Sequence, residues 1–341
     1  MYEGGTSMRK TIGAALVAAM TVLAGGAQAE TLVFATTNPE QHPLNQGFLI
    51  PWAQKINETA AGAVEIELRH GPVIANHTNF YDRLTDDVIQ VAWGMTIFNP
   101  GKWPRSLVAT LPFMVENSEQ GSMALCRMHE KGAFDAEMGD IVPLLFVEFP
   151  QASLHLNGHK ATAMEDMAGL KVITSVPAIA GVIGAFGGAP LSFGVTELYE
   201  AIQRGSADGT IINFTAFPAF RLNEVTTDHY VIPLGGAMGM VFMAKSKWDS
   251  LSDGARAAIL AQSGCEGSLA FGKFIDGLES KSKAMVEGAE GHTVTYATPE
   301  QLQALVEKLG PGIEAGFAGH VPDGAKLVEM FKQELAAAKA K

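Results

Sequence analysis

The chain alternates short apolar runs of strand length with stretches of helical period, and it does so twice. In the first half, strands are predicted at 31–35, 64–68 and 88–93, with helices at 48–61 and 81–87 between them. A second series has strands at 170–174, 209–213, 230–233 and 238–244, with helices at 178–186 and 198–204. This order is typical of sheets covered by helices. The sequence therefore predicts an α/β fold built from two such units.

Two further stretches complete this prediction. An apolar run at 141–149, ending at Pro150, suits a strand that crosses between the two units. The C-terminal third is predicted to be helical, at 253–261, 269–287, 299–309 and 325–338. Since a chain of about 310 residues exceeds what one hydrophobic core usually holds, two domains are expected.

The N-terminus has the order of a secretory signal peptide. Arg9 and Lys10 follow a second methionine, Met8, and precede an apolar run at 12–23 and a small-residue site that ends at Ala29. The run is shorter than the roughly 20 residues that span a bilayer. We expect 1–29 to be a signal peptide, with 1–7 as extra residues before its natural start, and cleavage after Ala29 to release a periplasmic protein.

Charge and cysteine content narrow the class of partner. The formal net charge of −12 disfavours nucleic acid, whose phosphates an acidic protein repels, so no nucleic-acid partner is expected. Cys126 and Cys265 are the two cysteines. In an oxidising compartment they could form a disulfide, or they could remain two buried thiols, and the sequence leaves both open.

No motif in the sequence points to catalysis. There is no glycine-rich phosphate loop and no G-x-S-x-G, and the nine histidines are scattered. His155 and His159 flank an Asn-Gly turn and are predicted to be exposed hairpin residues rather than metal ligands. We expect no enzyme activity, no cofactor and no metal. The alternatives are an exported lyase or isomerase, or a ligand sensor for a membrane receptor.

Four stretches together carry a family resemblance. They are M-A-G-L-K-V at 167–172, E-L-Y-E-A-I-Q-R-G-S-A-D-G at 197–209, V-A-W-G at 91–94 and K-S-K-W-D-S-L at 245–251. In order and spacing they resemble the solute-binding proteins of tripartite ATP-independent periplasmic (TRAP) transporters, the dicarboxylate-binding-protein-like family. The resemblance covers essentially the whole chain after residue 29.

The resemblance implies a two-lobed periplasmic binding protein, class II-like. Each lobe would be a mixed sheet flanked by helices, with a helical C-terminal region. It places 30–150 plus about 239–278 in lobe I, and 151–238 plus about 279–341 in lobe II. A small organic solute would be captured in the cleft by lobe closure and delivered to the TRAP membrane permease.

The sequence departs from the family at one position that matters for the ligand. Where the family pattern has an arginine that grips the ligand carboxylate, this chain has Ile173. Isoleucine cannot make the two-pronged hydrogen bond of a guanidinium group. An organic acid remains the family default, but an amine or a neutral or aromatic solute is also possible.

Candidate ligand contacts follow from the resemblance and from the rule that ligands gather at the carboxyl ends of strands. The expected cleft residues are Glu40, His42, Trp93, Thr174, Ser175 and Asn213, with Phe214 and Phe217 as possible walls. Tyr81 and Phe149 are further aromatic candidates. None of these residues is expected to be catalytic.

Overall fold

The computed structural model describes residues 29–339, which form eleven strands and twelve α-helices. The strands are β1 (Glu30–Thr36), β2 (Val64–His70), β3 (Val91–Met95), β4 (Ile141–Glu148), β5 (Ser153–Leu156), β6 (Lys171–Ile173), β7 (Ala189–Leu191), β8 (Gly209–Ile212), β9 (Asp228–Val231), β10 (Met238–Ala244) and β11 (Thr293–Tyr296). The helices are α1 (Ile50–Thr59), α2 (Phe80–Thr85), α3 (Ser118–Glu130), α4 (Asp135–Met138), α5 (Pro177–Ala185), α6 (Leu198–Gln203), α7 (Ala216–Phe220), α8 (Lys245–Ser250), α9 (Asp253–Leu260), α10 (Gly264–Glu287), α11 (Pro299–His320) and α12 (Gly324–Lys339).

The strands form two mixed sheets, as predicted. The first has the order β2-β1-β3-β10-β4, in which β1 runs parallel to β2 and β3 while β10 is antiparallel to both of its neighbours. The second has the order β11-β9-β5-β8-β6-β7, in which β5 is antiparallel to β8 and β9. Helices flank each sheet, so the expected α/β architecture with two units is confirmed.

Two chain segments cross side by side from one sheet to the other. The first joins β4 to β5 and the second joins β9 to β10. They are hydrogen-bonded to each other, since the N–H groups of Phe149 and Ala152 donate to the carbonyls of Ala237 and Gly235. Gly235 has a φ of +105°, and a Cβ there would lie 2.4 Å from the carbonyl oxygen of Thr110, so only glycine fits this crossing.

The helical C-terminal region is shared between the two units. Helix α10 belongs to both units, because Phe271 packs in the core under the first sheet while Val286 packs beside the second. Helix α12, which we expected in lobe II, packs instead on α3 of the first unit. There Phe331 joins the core, and Gln120 Nε2 donates to the carbonyl of Leu335 at 3.0 Å. The apolar face of α12 is thus buried against the first unit.

Several elements were not predicted from the sequence. Strands β5, β7 and β11 are three or four residues long, and serine, histidine, proline or threonine interrupts their apolar runs. Helix α3 was missed because its buried face includes glycine and serine as well as apolar residues. Helix α11 continues through Pro311 to His320, although a stop near 309 was expected. It remains largely exposed, so water can satisfy the carbonyl that the proline leaves free.

The two cysteines form a disulfide. Cys126 of α3 is bonded to Cys265 at the start of α10, with the two Cα atoms 5.3 Å apart. The bond joins two helices of the first unit and closes a loop that includes strands β5 to β9 of the second unit. It decides between the two states that the sequence left open.

Across residues 29–339, no helix combines the length and the apolar character needed to cross a membrane. The predicted signal peptide lies outside the described residues, apart from its last residue, Ala29.

Candidate functional site

A cavity of about 140 Å³ lies between the two sheets, against the crossing segments. An apolar cavity of about 150 Å³ is large enough to bind benzene. Its wall is formed by the loops after β1 and β3, the ends of β6 and β8, the helices that follow them, the two crossing segments and the middle of α10. The lining residues are Asn38, His42, Leu44, His77, Trp93, Met95, Ile97, Phe98, Phe149, Ala152, Ile173, Thr174, Ser175, Val176, Ile179, Val195, Leu198, Thr210, Ile211, Ile212, Asn213, Thr215, Ala216, Phe220, Gly235, Gly236, Ala237, Ile275 and Leu278.

Aromatic rings from the first unit form one side of the cavity. Trp93 lies in the middle of β3, almost fully buried, with its ring 6.2 Å from that of Phe149. The indole fits because residue 239 on the neighbouring strand is glycine, where a Cβ would lie 2.3 Å from the ring. Phe98 follows β3 and stacks on His77, with ring centroids 5.0 Å apart.

The opposite side comes from the ends of two parallel strands of the second unit. Thr174 and Ser175 follow β6, and Asn213 follows β8. These strands are neighbours, so their carboxyl ends bring the three polar side chains to one edge of the sheet. Helix α5 begins at Pro177, two residues after Ser175, and its N-cap Val176 and first-turn residue Ile179 also line the cavity.

Several of these polar groups keep a donor or an acceptor that no described residue uses. Thr174 Oγ1 accepts from the N–H of Val176 at 3.2 Å, which leaves its own proton available to donate. Asn213 Oδ1 accepts from the hydroxyl of Thr215, and no described residue accepts from Asn213 Nδ2. Ser175 Oγ donates to the carbonyl of Phe193 and retains free lone pairs. This side of the cavity therefore offers mainly donors.

His42 supplies another donor from the first unit. Its Nδ1 accepts from the N–H of Leu44 at 3.2 Å. Burial lowers the pKa of His42 to about 4, so the ring is neutral near pH 7 and carries its proton on Nε2. Within 29–339, nothing accepts from that nitrogen.

His77, in contrast, is already paired. Its Nδ1 accepts from the N–H of Met95 at 3.3 Å, and its Nε2 lies 3.1 Å from the hydroxyl of Thr37. Burial lowers the pKa of His77 to about 4, so this ring is neutral as well. It acts as a flat support for Phe98.

The lining carries no fixed charge. Among the described residues that line the cavity there is no lysine, arginine, aspartate or glutamate. Ile173 lines the cavity and is also part of the core cluster of the second unit, so this position is apolar in the structure as in the sequence. The site must therefore hold a ligand by shape, aromatic faces and neutral hydrogen bonds.

Five of the eight predicted site residues line this cavity, and three do not. The five are His42, Trp93, Thr174, Ser175 and Asn213. Glu40 is exposed, and only its backbone carbonyl is engaged, by Gln46 Nε2. Phe214 and Phe217 are buried behind the wall, where they pack on His155 with ring centroids 4.7 Å apart in both cases. Of the other aromatic candidates, Phe149 lines the cavity, whereas Tyr81 packs against Trp103.

Sequence reasoning missed Asn38, His77, Phe98, Thr215 and Phe220. Phe220 had a usable signal, since it ends the short helix α7 that starts just after Asn213. His77 had none, because it lies in the irregular segment between β2 and α2 and approaches the cavity only through tertiary packing.

The sequence and the fold both have known relatives. The chain is 25% identical to the outer membrane transporter protein TsaT of Comamonas testosteroni over 96% of this chain and 98% of that protein. Its fold is similar to that of a marine metagenome TRAP solute-binding protein specific for aromatic acid ligands, solved with metahydroxyphenylacetate. That similarity has a TM-score of 0.85 and 23% identity, over 91% of this chain and 99% of the other. A TRAP solute-binding protein of Rhodoferax ferrireducens, solved with copurified benzoate, has a TM-score of 0.85 and 21% identity, over 91% and 98%.

The family model named "Bacterial extracellular solute-binding protein, family 7" (DctP) matches residues 34–319, most of the chain. This match spans both sheets, the crossing segments and the cavity between them. The protein therefore belongs to the bacterial extracellular solute-binding proteins of family 7, the non-enzymatic binding proteins of TRAP transporters.

Proposed function

We propose that this protein is the periplasmic receptor of a TRAP transporter that captures a small aromatic acid in the cleft and delivers it to the membrane permease. The signal peptide would be cleaved after Ala29. The two sheets, with the helices packed on them, would act as the two lobes that close over the ligand.

The cavity between the sheets is the observation that carries this proposal. Its volume of about 140 Å³ is large enough for a single aromatic ring. Trp93, Phe98, Phe149 and Phe220 supply ring faces from both units and from the crossing segment. Pockets of this kind, mostly apolar with a few converging polar groups, are typical ligand sites at domain interfaces.

An acid group can be held here without arginine. Asn213 Nδ2 and the hydroxyl of Thr174 are donors at one edge of the cavity, and His42 Nε2–H is a donor from the first unit. The first turn of α5 adds the positive end of a helix dipole to the same edge. A carboxylate would be surrounded by neutral donors, as in sites that bind anions through amide and hydroxyl groups.

The ligands of similar structures agree with this chemistry. The marine metagenome protein binds metahydroxyphenylacetate and the Rhodoferax protein retained benzoate, each an acid with one aromatic ring. The argument for an aromatic ligand in this chain rests on its own lining, which is aromatic and uncharged.

Ligand capture would follow from contacts to both lobes. His42 of the first unit and Phe220 of the second line the same cavity, so a bound ring touches both. A ligand that contacts both lobes binds the closed form better than the open form, and this difference shifts the population to the closed form.

The test is calorimetric titration of residues 30–341 with benzoate and 3-hydroxybenzoate, with succinate and benzylamine as comparison ligands. We expect saturable binding of the aromatic acids and none of the other two. Asn213→Ala should weaken benzoate binding roughly tenfold, since a hydrogen bond to a charged group contributes about 1.5–3 kcal/mol. Asn223→Ala, outside the cavity, is the matched control. Preferential binding of succinate or benzylamine would refute the proposal.

A neutral aromatic solute is the second candidate, favoured by the absence of a cation from the described lining. Benzamide has the shape of benzoate without its charge, so the same titration separates the two ligand classes. Tighter binding of benzamide than of benzoate would select the neutral solute.

A further inference from the structure

Three histidines of the second unit form a hydrogen-bonded chain behind the cavity wall. His155 of β5 and His229 of β9 are directly opposed across the antiparallel ladder, and their Nδ1 atoms lie 2.9 Å apart. His229 Nε2 lies 3.0 Å from Nδ1 of His292, which precedes β11. At the other end, His155 Nε2 lies 2.9 Å from the carbonyl oxygen of Ile212, a residue that lines the cavity.

The carbonyl of Ile212, at the end of this histidine chain, determines which nitrogen of each ring carries the proton. A carbonyl oxygen only accepts, so His155 Nε2 carries a proton and donates to Ile212. A neutral His155 then has a bare Nδ1, which accepts from His229 Nδ1–H. His229 Nε2 is consequently bare and accepts from His292 Nδ1–H. The hydrogen bonds of the histidine chain all run in one direction, from the partly exposed His292 to the partly buried carbonyl of Ile212.

The surroundings keep the two inner rings neutral. His155 and His229 are fully buried, and burial lowers their pKa values to about 3 and about 2. Phe214 and Phe217 pack edge to face on His155. A second proton on either inner ring would place two donors face to face and break the chain.

His155 contacts the residues on both sides of Asn213. His155 bonds the carbonyl of Ile212, the residue before it, and contacts the ring of Phe214, the residue after it. Asn213 itself faces the cavity. Supporting hydrogen bonds can hold a polar group in its binding position before the ligand arrives. Such a group then binds without a free-energy cost of reorganisation.

We propose that His155, with its tautomer set by His229 and His292, is a positioning residue that aims Asn213 at the ligand. The inference rests on the proposed function for its effect on affinity, but the directed chain itself exists with or without a ligand. The prediction from the sequence that His155 is an exposed hairpin residue is wrong, because His155 is fully buried.

Nuclear magnetic resonance of protein labelled with ¹⁵N-histidine tests the chain directly. At pH 7.5 we expect His155 as the Nε2–H tautomer and His229 as the Nδ1–H tautomer, assigned with single His→Phe variants. The opposite tautomer at His155 or His229, or a cationic form of either, would overturn the inference even if an aromatic acid binds.

Affinity tests the positioning role. His155→Phe keeps the ring packing but removes both hydrogen bonds, and it should weaken benzoate binding roughly fivefold in a folded protein, in line with one net hydrogen bond. His129→Phe is the matched control, a partly buried histidine on α3 that lies outside the cavity, and it should leave affinity unchanged. Equal affinity of His155→Phe and the unmodified protein would refute the role. If no aromatic acid binds even the unmodified protein, the proposed ligand class fails, and the tautomers still decide the chain.

Discussion

The imidazole of His42 and the ring of Phe220 meet across the cleft, with centroids 6.2 Å apart and planes inclined at 57°. His42 belongs to the loop after β1 and Phe220 to the end of α7, so this pair joins the two units directly at the cavity. Phe220→Ala removes the contact between the units together with a ring face for the ligand. Calorimetry should show that Phe220→Ala binds benzoate at least about tenfold more weakly than the unmodified protein does, as expected for the loss of a buried aromatic anchor.

Phe186→Ala serves as the control for that variant. Phe186 is a buried ring of the second unit that lies outside the cavity, so its loss should reduce stability but not affinity. A similar loss of affinity in both variants would mean that Phe220 acts only through general destabilisation.

Glu148 gives a prediction about stability and pH. It ends β4 beside the crossing segments, is fully buried, and neither carboxyl oxygen has a partner among residues 29–339. Burial raises the pKa of Glu148 well above its usual value, so the folded state binds more protons than the unfolded state above about pH 4.5. Its contribution to stability is therefore present at low pH and is lost as pH rises towards the raised pKa.

Glu148→Gln has no proton to lose. Between about pH 4.5 and the raised pKa of Glu148, the free energy of unfolding of Glu148→Gln should rise relative to that of the unmodified protein by about 1.4 kcal/mol per pH unit. Urea denaturation at pH 5, 6.5 and 8 measures this difference. Glu290→Gln, at an exposed position, should show no such trend. A difference between Glu148→Gln and the unmodified protein that stays constant with pH would contradict the assignment.

The disulfide should stabilise the first unit without affecting the ligand site. Cys126 and Cys265 are 139 residues apart, and closing so long a loop typically contributes about 2–5 kcal/mol. The double variant Cys126→Ala, Cys265→Ala should lose this much in denaturant titrations and bind benzoate with unchanged affinity, because neither cysteine lines the cavity. Weaker ligand binding by the folded double variant would show that the two regions are coupled.

The cavity histidines should add no pH dependence to ligand binding between pH 8 and pH 6. Burial lowers the pKa values of His42 and His77 to about 4, so both rings stay neutral over this range. Glu279 accepts from the N–H of the cavity residue Thr215, and burial raises the pKa of Glu279 to about 7, so a change in benzoate affinity over this range should come from this carboxyl group. Calorimetry at pH 6, 7 and 8 should therefore give the same profile for His42→Gln as for the unmodified protein, whereas a rise in affinity on acidification that disappears in His42→Gln would indicate that a histidine cation holds the acid.

The two-unit α/β fold could be read from the sequence because its strands are apolar runs and its helices repeat with helical period. Most of β1, β2, β4 and β10 follows such runs. Thr174, Ser175 and Asn213 were selected because the family resemblance places ligand contacts near the ends of β6 and β8, where ligands gather in α/β folds. The same reasoning selected Trp93.

Tertiary packing decided the rest. Phe214 and Phe217 follow Asn213 more closely than Phe220 does, yet they pack on His155 behind the wall while Phe220 reaches the cavity. Sequence spacing does not distinguish these fates, because each depends on which side chain occupies the opposing surface. The packing of α12 on α3 also depends on the opposing surface. So does the hydrogen bonding of three histidines that are distant in the sequence. Local sequence determined the strands, the helices and the polar strand ends, whereas contacts between residues far apart in the chain determined which side chains meet the ligand and which hold them in place.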